Sequence, residues 1–226
     1  MLLLAIDTSG QSGGITLADA GENSFRVIES APIAGGTFSA QLIPTLSALL
    51  NKHGFSAKDL GGFAAASGPG SFTGLRVGLS AIKGLAEVLH RPIAVVSVLE
   101  ALAASSNREG KIAAALDAGR KEAFLGLYNI VNGTASINHE ELAAQTDLVQ
   151  KLRSAGYEQL ITSDAAIAEL ASAAGINVQL AEHPGSEAIA RLGARKLLSG
   201  ETISVEALDA NYLRRSDAEI FFKGSR

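Results

Sequence analysis

The stretch of this chain that most resembles a chemical motif is SGPGSFTGLRVGLSAIKGLAEVL, Ser67 to Leu89, in which glycines and a proline lead into a helix-forming run. Glycines feeding a helix N-terminus often cradle a phosphate, because free backbone N–H groups and the helix dipole attract an anion. The spacing narrows that chemistry. A Walker loop requires G-x-x-x-x-G-K-[ST], with the lysine reaching the phosphates and the hydroxyl holding magnesium, whereas Gly74 is followed by Leu75 and Arg76. A dinucleotide fingerprint requires G-x-G-x-x-G, whereas Gly68, Gly70 and Gly74 are spaced G-x-G-x-x-x-G. Two readings remain: an anion site at a helix start capped by Ser71 or Thr73, or a tight turn and cap without a ligand.

The other reactive residue types are scattered. Asp7 and Asp117 each close an apolar run and precede a polar, glycine-containing turn. With Thr8 and Ser9 they would suit a remnant phosphate or anion site, holding a metal-bound water near a phosphate; an aspartate ending a buried strand is equally an ordinary turn residue. His53, His90, His139 and His183 are never paired at i+3, i+4 or i+5, and the chain has no cysteine, so no ligand set with metal-site spacing is present. His53 and His90 stand where helices should end and suit the negative end of a helix dipole. No G-x-S-x-G elbow supplies a nucleophilic serine. Arg120 with Lys121, and Arg214 with Arg215, make either small basic surfaces or solvated turn charges.

The elements that must position these residues follow from composition and periodicity. A chain of 226 residues with 47% hydrophobic and 19% charged content builds a substantial core. Its formal charge of −4 and pI near 5.6 offer no broad basic surface for a polyanion. The first apolar run stops at Asp7, too short for a signal h-region or a membrane span, and reads as a buried strand. The absence of cysteine suits a reducing compartment, and a cytoplasmic location is expected.

The pattern alternates strands and helices, the mark of an α/β fold. LLLAIDTSGQSGGITLAD predicts a hairpin, ENSFRVIESAP a third strand, and GTFSAQLIPTLSALLNKHG a helix with Leu42, Leu46, Leu49 and Leu50 on one face. Pro44 should bend that helix or delay its first turns. In the helix after the glycine loop, Arg76, Ser80, Lys83 and Glu87 share one arc, and apolar or small residues fill about 220° on the other side, well beyond the ~100° that packing on one sheet needs. The excess implies burial on two sides, with Gly74, Gly78 and Ala81 as a smooth edge for close approach, either by another protein or by a neighbouring helix of the same domain. KIAAALDAGRKEAFLGLYN then repeats the opening hairpin half a chain later, a sign of duplicated architecture. Further expectations are a helix over Leu142 to Ala155, a strand at QLITS, a helix at DAAIAELASAAG, a strand at INVQLA and a helix at GSEAIARLGARKLLSG. The linker-like SSNREG divides the chain into residues 1–105 and 106–226. The apolar tail bearing Tyr212, Leu213, Ile220, Phe221 and Phe222 should pack back, on the N-terminal domain, as an ordered segment.

Taken together, LLAIDTS, GPGSFTGLRVGLSAIKGLAE, ALDAGRKEAFLGLY and NYLRR, in that order across nearly the whole chain, resemble the TsaB (YeaZ) proteins of bacterial tRNA threonylcarbamoyladenosine synthesis. The resemblance implies two related domains of the actin-like, Hsp70-like and sugar-kinase-like (ASKHA) fold, the second degenerate. It also implies a non-catalytic role beside the related TsaD subunit, which transfers the threonylcarbamoyl group to N6 of adenosine 37 in tRNAs reading ANN codons. TsaD proteins hold a metal through H-x-x-x-H on their first helix. This chain reads TFSAQLIP there, so no catalytic metal is expected, and ITSDAA lacks the glycine pair that accepts adenosine in nucleotide-binding relatives, so no cofactor is expected either. Two positions depart from the family pattern: Phe38 precedes Ser39 where a histidine is common, and DAGR replaces DAR.

In that family the first two N-domain helices pair with those of TsaD or of a second TsaB copy. Carried over, the partner-binding residues are Ser39, Leu42, Leu46 and Leu49 on the first helix and Ser71, Phe72, Thr73, Gly74, Leu75, Gly78, Leu79 and Ile82 on the second. A Gly78→Arg change is then expected to break partner binding and spare the fold. The implied partners are TsaD and the small ATPase TsaE, with a homodimer in isolation, tRNA contacts only within the complex, and no membrane. The competing expectation is a small-molecule kinase or ATPase of the same fold using Asp7 and the glycine loop; a peptidase, once ascribed to relatives, lacks its metal ligands and nucleophile.

Overall fold

The computed structural model describes residues 1–211 and Leu213. Tyr212, Arg214, Arg215 and the tail with Ile220, Phe221 and Phe222 lie outside the described residues, and so does most of the segment expected to pack back.

In chain order the elements are β1 (Leu2–Asp7), β2 (Ser12–Gly21), β3 (Ser24–Ala34), α1 (Phe38–Lys52), β4 (Leu60–Gly68), α2 (Phe72–Leu89), β5 (Ile93–Ser97) and α3 (Val98–Ala104), then β6 (Gly110–Gly119), β7 (Glu122–Val131), β8 (Thr134–Ala144), α4 (Leu148–Ala155), β9 (Gln159–Thr162), α5 (Ala165–Ala173), β10 (Asn177–Leu180) and α6 (Ser186–Ser199). They form two five-stranded sheets, ordered β3-β2-β1-β4-β5 and β10-β9-β6-β7-β8. In each, a three-strand antiparallel meander is extended by two parallel strands on the other side of its first strand. The repeated hairpin of the sequence is thus the visible part of a repeated sheet topology. Asp7 ends β1 opposite Gly14, and Asp117 stands near the end of β6 opposite Ala123.

The central strands are buried on both faces. Leu3, Leu4, Ala5, Phe63, Ala64 and Ala94 are all fully covered, as parallel strands sandwiched by helices require. In the second sheet Ile112 to Leu116 and Leu160 to Thr162 play that part.

Two compact units result, one of Met1–Ala101 with Pro184–Asn211 and one taking in Leu102–His183. The division differs at its C-terminal side from halves cut at 105. Helix α6 lies on β1, β2, β4 and β5 of the first sheet. Gly193 permits this approach: a Cβ there would stand 2.3 Å from Ala64 Cβ on β4. The start of α6 is held by a hydroxyl chain, Ser186 Oγ to Thr16 Oγ1 at 2.8 Å and Thr16 Oγ1 to Ser30 Oγ at 2.9 Å. Beyond α6 the chain stays on the first unit: Ile203 bridges Ile93, Leu208 is buried in the core, and Asn211 N donates to Ser67 O at 2.7 Å. Hydrophobic pattern marks which face of a helix is covered, but not which sheet covers it.

Two local expectations need correction. The helix expected from Leu142 starts only at Leu148, because Leu142 and Ala143 pair with Phe124 and Ala123 and prolong β8, and a 3₁₀ turn over Gln145–Asp147 makes the corner. Helix α1 is not delayed by Pro44; it begins at Phe38 and carries the proline in its interior, on the exposed side.

Candidate functional site

The β4–α2 loop and the β1–β2 turn fill one another. Ser71 caps α2, accepting from Gly74 N at 3.2 Å, which identifies Ser71 rather than Thr73 as the cap. Ser71 N donates to Ser9 O at 2.6 Å, and Thr8 Oγ1 donates to Gly74 O at 2.7 Å. The Asp7 carboxylate turns back on its own turn, Oδ1 accepting from Ser9 N at 2.9 Å and from Ser9 Oγ at 2.6 Å. Asp7, Thr8 and Ser9 are all 3% exposed or less. Asp7 Oδ1 and the Ser9 donors are thus engaged within the turn, and Thr8 Oγ1 and Ser71 N between the turn and α2 with its loop. Asp117, in the second unit, is exposed; its Oδ1 accepts from Gly119 N and Gln145 Nε2, both at 3.1 Å. Asp7, Thr8 and Ser9 thus belong to the first unit and are buried, and Asp117 belongs to the second and is exposed. Beyond Asp117, Arg120 and Lys121 occupy the left-handed region at the exposed tip of the β6–β7 hairpin. Among the described residues no three His, Asp or Glu side chains are grouped as metal ligands, and no helix is long and apolar enough to cross a membrane.

Those hydrogen bonds explain the glycines of α2. A Cβ on Gly74 would stand 2.1 Å from Thr8 O, and one on Gly78 would stand 2.4 Å from Thr8 Oγ1 and 3.2 Å from Ile6 Cγ2. The smooth edge is a close approach, as its composition suggests, but the neighbour is β1 and its turn. Of the residues expected to bind a partner, Leu46, Leu49, Gly74, Leu75, Gly78, Leu79 and Ile82 are buried within the first unit's own core. The wide apolar arc of α2 is covered in part by this chain: Leu208 shares its core cluster, and Lys83 Nζ donates to Leu208 O at 3.2 Å.

Between the N-terminal halves of α1 and α2 the described residues form a groove of about 570 Å³. Helix α1 contributes Ser39, Leu42 and Ile43; helix α2 contributes Phe72, Thr73, Arg76, Val77, Ser80 and Ala81. Leu42 is the buried floor, whereas Ile43 is 52% and Phe72 36% exposed. The Arg76 guanidinium lies over the Phe72 ring, 3.8 Å from its centroid. Ser39, Leu42, Phe72 and Thr73 were legible as site residues. Ala81 was legible as part of a smooth edge, whereas Ile43, Arg76, Val77 and Ser80 were not singled out; for Val77 the signal is the i, i+4 row Thr73–Val77–Ala81, one position away from the Gly74–Gly78–Ile82 row.

Helix α1 is anchored at its far end. Lys52 Nζ lies 2.6 Å and His53 Nε2 2.7 Å from Glu29 Oε2 on β3, so His53, at the C-cap, pairs with a carboxylate as well as with the helix end. Hydrogen bonds from Lys52 first and His53 second hold the Glu29 carboxyl below the usual glutamate range. On the opposite side, Lys196 of α6 reaches Glu100 Oε2 at 2.8 Å and Val95 O at 3.1 Å. Burial pushes the Glu100 carboxyl up, against the pull of Lys196.

Comparison with known proteins agrees with this architecture. The family model of TsaD, tRNA N6-adenosine threonylcarbamoyltransferase, matches residues 32–220. The tRNA threonylcarbamoyladenosine biosynthesis protein TsaB of Bacillus subtilis (strain 168) is 30% identical over 97% of this chain and 96% of its own length. The Escherichia coli (strain K12) protein of the same name is 26% identical over 96% of each. A crystal structure of an uncharacterized protein similar to peptidase YeaZ from Pseudomonas aeruginosa superposes with a TM-score of 0.77 at 26% identity, covering 94% of this chain and 99% of that one. YeaZ from Pseudomonas aeruginosa shares the fold with a TM-score of 0.73 at 24% identity, over 93% and 100%. Within the wider group that the TsaD model describes, this chain belongs to the TsaB (YeaZ) family.

Proposed function

We propose that this chain is a non-catalytic subunit required by TsaD for threonylcarbamoyl transfer to N6 of adenosine 37 in tRNAs reading ANN codons. The observation that carries this reading is the groove between α1 and α2, where Ile43 and Phe72 leave apolar surface in water beside a well-packed core. The names of the relatives supply the process. On this reading TsaD seats its own helices in the groove, TsaE joins the assembly, and a homodimer forms through the same face when TsaD is absent. The chain acts in the cytoplasm, and tRNA meets it only within the complex, as its net negative charge favours. The two sheets are then the two lobes of an ASKHA fold, the second with shorter helices and parallel strands.

The competing enzyme reading needs Asp7 and the glycine loop to hold phosphate. Against it stand the bonds from Ser9 to Asp7 Oδ1 and from Ser71 N of the loop to Ser9 O. Calorimetry of the isolated chain with ATP and magnesium separates the two readings: micromolar binding supports an ATPase or kinase. The interface test replaces Ile43 by asparagine and Ala81 by glutamine in one variant. The expected result is an unchanged melting temperature with TsaD lost on co-purification and threonylcarbamoyladenosine depleted in cells relying on the variant. Wild-type stoichiometry with TsaD sinks the groove assignment.

A further inference from the structure

We propose that Asn132 is a deamidation site whose rate is governed by Glu109, the carboxylate that holds the backbone of the same turn. The site belongs to the second unit, and its chemistry depends neither on the groove nor on any partner.

The dipeptide Asn-Gly occurs once in the chain, at Asn132 and Gly133. It forms the two-residue turn between β7 and β8, with Val131 paired to Thr134 and φ at 51° for Asn132 and 67° for Gly133. Both angles are positive, as a type I′ hairpin turn requires, and asparagine followed by glycine is a preferred pair for it. The same pair is chemically vulnerable. The backbone nitrogen of Gly133 can attack Cγ of the Asn132 side chain, forming a C–N bond that closes a five-membered succinimide. The side-chain nitrogen leaves as ammonia, taking up the proton that the Gly133 nitrogen loses. Water then opens the ring at one carbonyl or the other, giving aspartate or isoaspartate. No reactant besides water is needed, and glycine puts no side chain in the path of attack.

Glu109 is placed to oppose the first step. It precedes β6, whose first residue, Gly110, pairs with Ile130 near the end of β7, so its side chain reaches the turn amides. Glu109 Oε2 accepts from Asn132 N at 3.1 Å, and Oε1 accepts from Gly133 N at 3.3 Å. The N–H that must lose its proton is thus donated to a carboxylate, whose negative charge disfavours the amide anion that attacks. Two bonds from consecutive amides also fix the direction of the peptide plane, which has to turn before nitrogen can reach Cγ. Asn132 is exposed, so water reaches it and the restraint is the contact with Glu109, not burial. Once the ring opens, either product places a second carboxylate beside Glu109. Isoaspartate also adds a methylene to the main chain of a turn whose register is set by two residues.

The test keeps the full chain in mildly alkaline buffer at physiological temperature. Peptide mass mapping follows aspartate and isoaspartate at position 132 over days, for wild type, Glu109→Ala and Glu109→Gln, and for wild type unfolded in urea. Folded wild type should deamidate at least about tenfold more slowly than the unfolded chain, and Glu109→Ala should lose about tenfold of that protection, the worth of one hydrogen bond to a charged group. Glu109→Gln keeps one acceptor oxygen without the charge and should fall between the two. Amide exchange of Gly133 should rise in Glu109→Ala, with exchange along β6 and the rest of β7 as in wild type. A Glu109→Ala rate within about twofold of wild type overturns the proposal. A slower rate also overturns it, since the carboxylate would then serve as a base for the attack. Faster deamidation with an equal rise in exchange throughout β6 and β7 assigns the protection to the hairpin's folding as a whole, and leaves Glu109 no part of its own.

Discussion

Thr8 Oγ1 occupies the space that a Cβ on Gly78 would need, 2.4 Å away, while donating its own hydrogen bond to Gly74 O at 2.7 Å. One threonine thereby uses two of the three α2 glycines, Gly74 as an acceptor and Gly78 as a gap. At these two positions α2 lies so close to the end of β1 that Thr8 and Ile6 Cγ2 fill the space a Cβ would take.

Substituting either glycine should damage the fold before it affects any partner. Gly78→Ala is expected to cost about 1–3 kcal/mol through overpacking against Thr8, and Gly74→Ala more, because its Cβ meets backbone at Thr8 O, which cannot rotate aside. Gly78→Arg should therefore lower yield and melting temperature, contrary to the expectation that it spares the fold. Urea unfolding of the two alanine variants measures the costs. A double variant Thr8→Ser, Gly78→Ala should recover only a fraction, since the hydroxyl remains.

The attachment of α6 to the first sheet gives a second prediction. Glu100→Ala leaves the largely buried Lys196 ammonium beside Val95 O with only the exposed Glu201 carboxylate, 3.4 Å away, as counter-charge. The loss should be about 2–3 kcal/mol, below the ~3–5 kcal/mol of a fully buried pair because Lys196 keeps 19% of its side-chain exposure. Amide exchange in α6 should rise more than exchange in β9 or β10. Equal protection in α6 before and after the change would show that Gly193 packing, not the ion pair, holds the helix.

Stability should vary with pH through two carboxylates of opposite sense. Glu29 is held below its usual range in the folded state, so it contributes stability above that range that is lost as pH falls through its folded value. Glu100 is raised by burial, so its contribution is complete below the usual glutamate range and disappears as pH rises through its folded value. Urea midpoints from about pH 3 to about pH 8 should show less acid loss for Glu29→Gln and less decline with rising pH for Glu100→Gln. The Glu29 effect should shrink in salt, since its ion pairs with Lys52 and His53 lie in solvent.

Much of this protein follows from local pattern. The Leu42, Leu46, Leu49 and Leu50 face of α1, the Ser71 cap, the buried run of β5 and the hairpin repeated at β6 and β7 depend on contacts a few residues apart, or on one periodicity, and are readable along the chain. The site was readable only to within a single turn of helix. Gly74, Gly78 and Ile82 and the groove row Thr73, Val77 and Ala81 are both composed of small and apolar residues, and neighbouring positions on a helix differ by ~100°. Which row meets β1 and which faces the groove is set by where Thr8 and Ile6 place their atoms, more than sixty positions away. The placing of α6 on the first sheet is decided in the same way, by the fit of Gly193 to Ala64 and by the pair of Lys196 with Glu100. Sequence by itself determined most of the elements, β8 excepted, with their apolar faces and the duplicated plan. Tertiary structure decided which of those faces were already occupied, because occupation depends on residues brought together only when the sheets and helices pack.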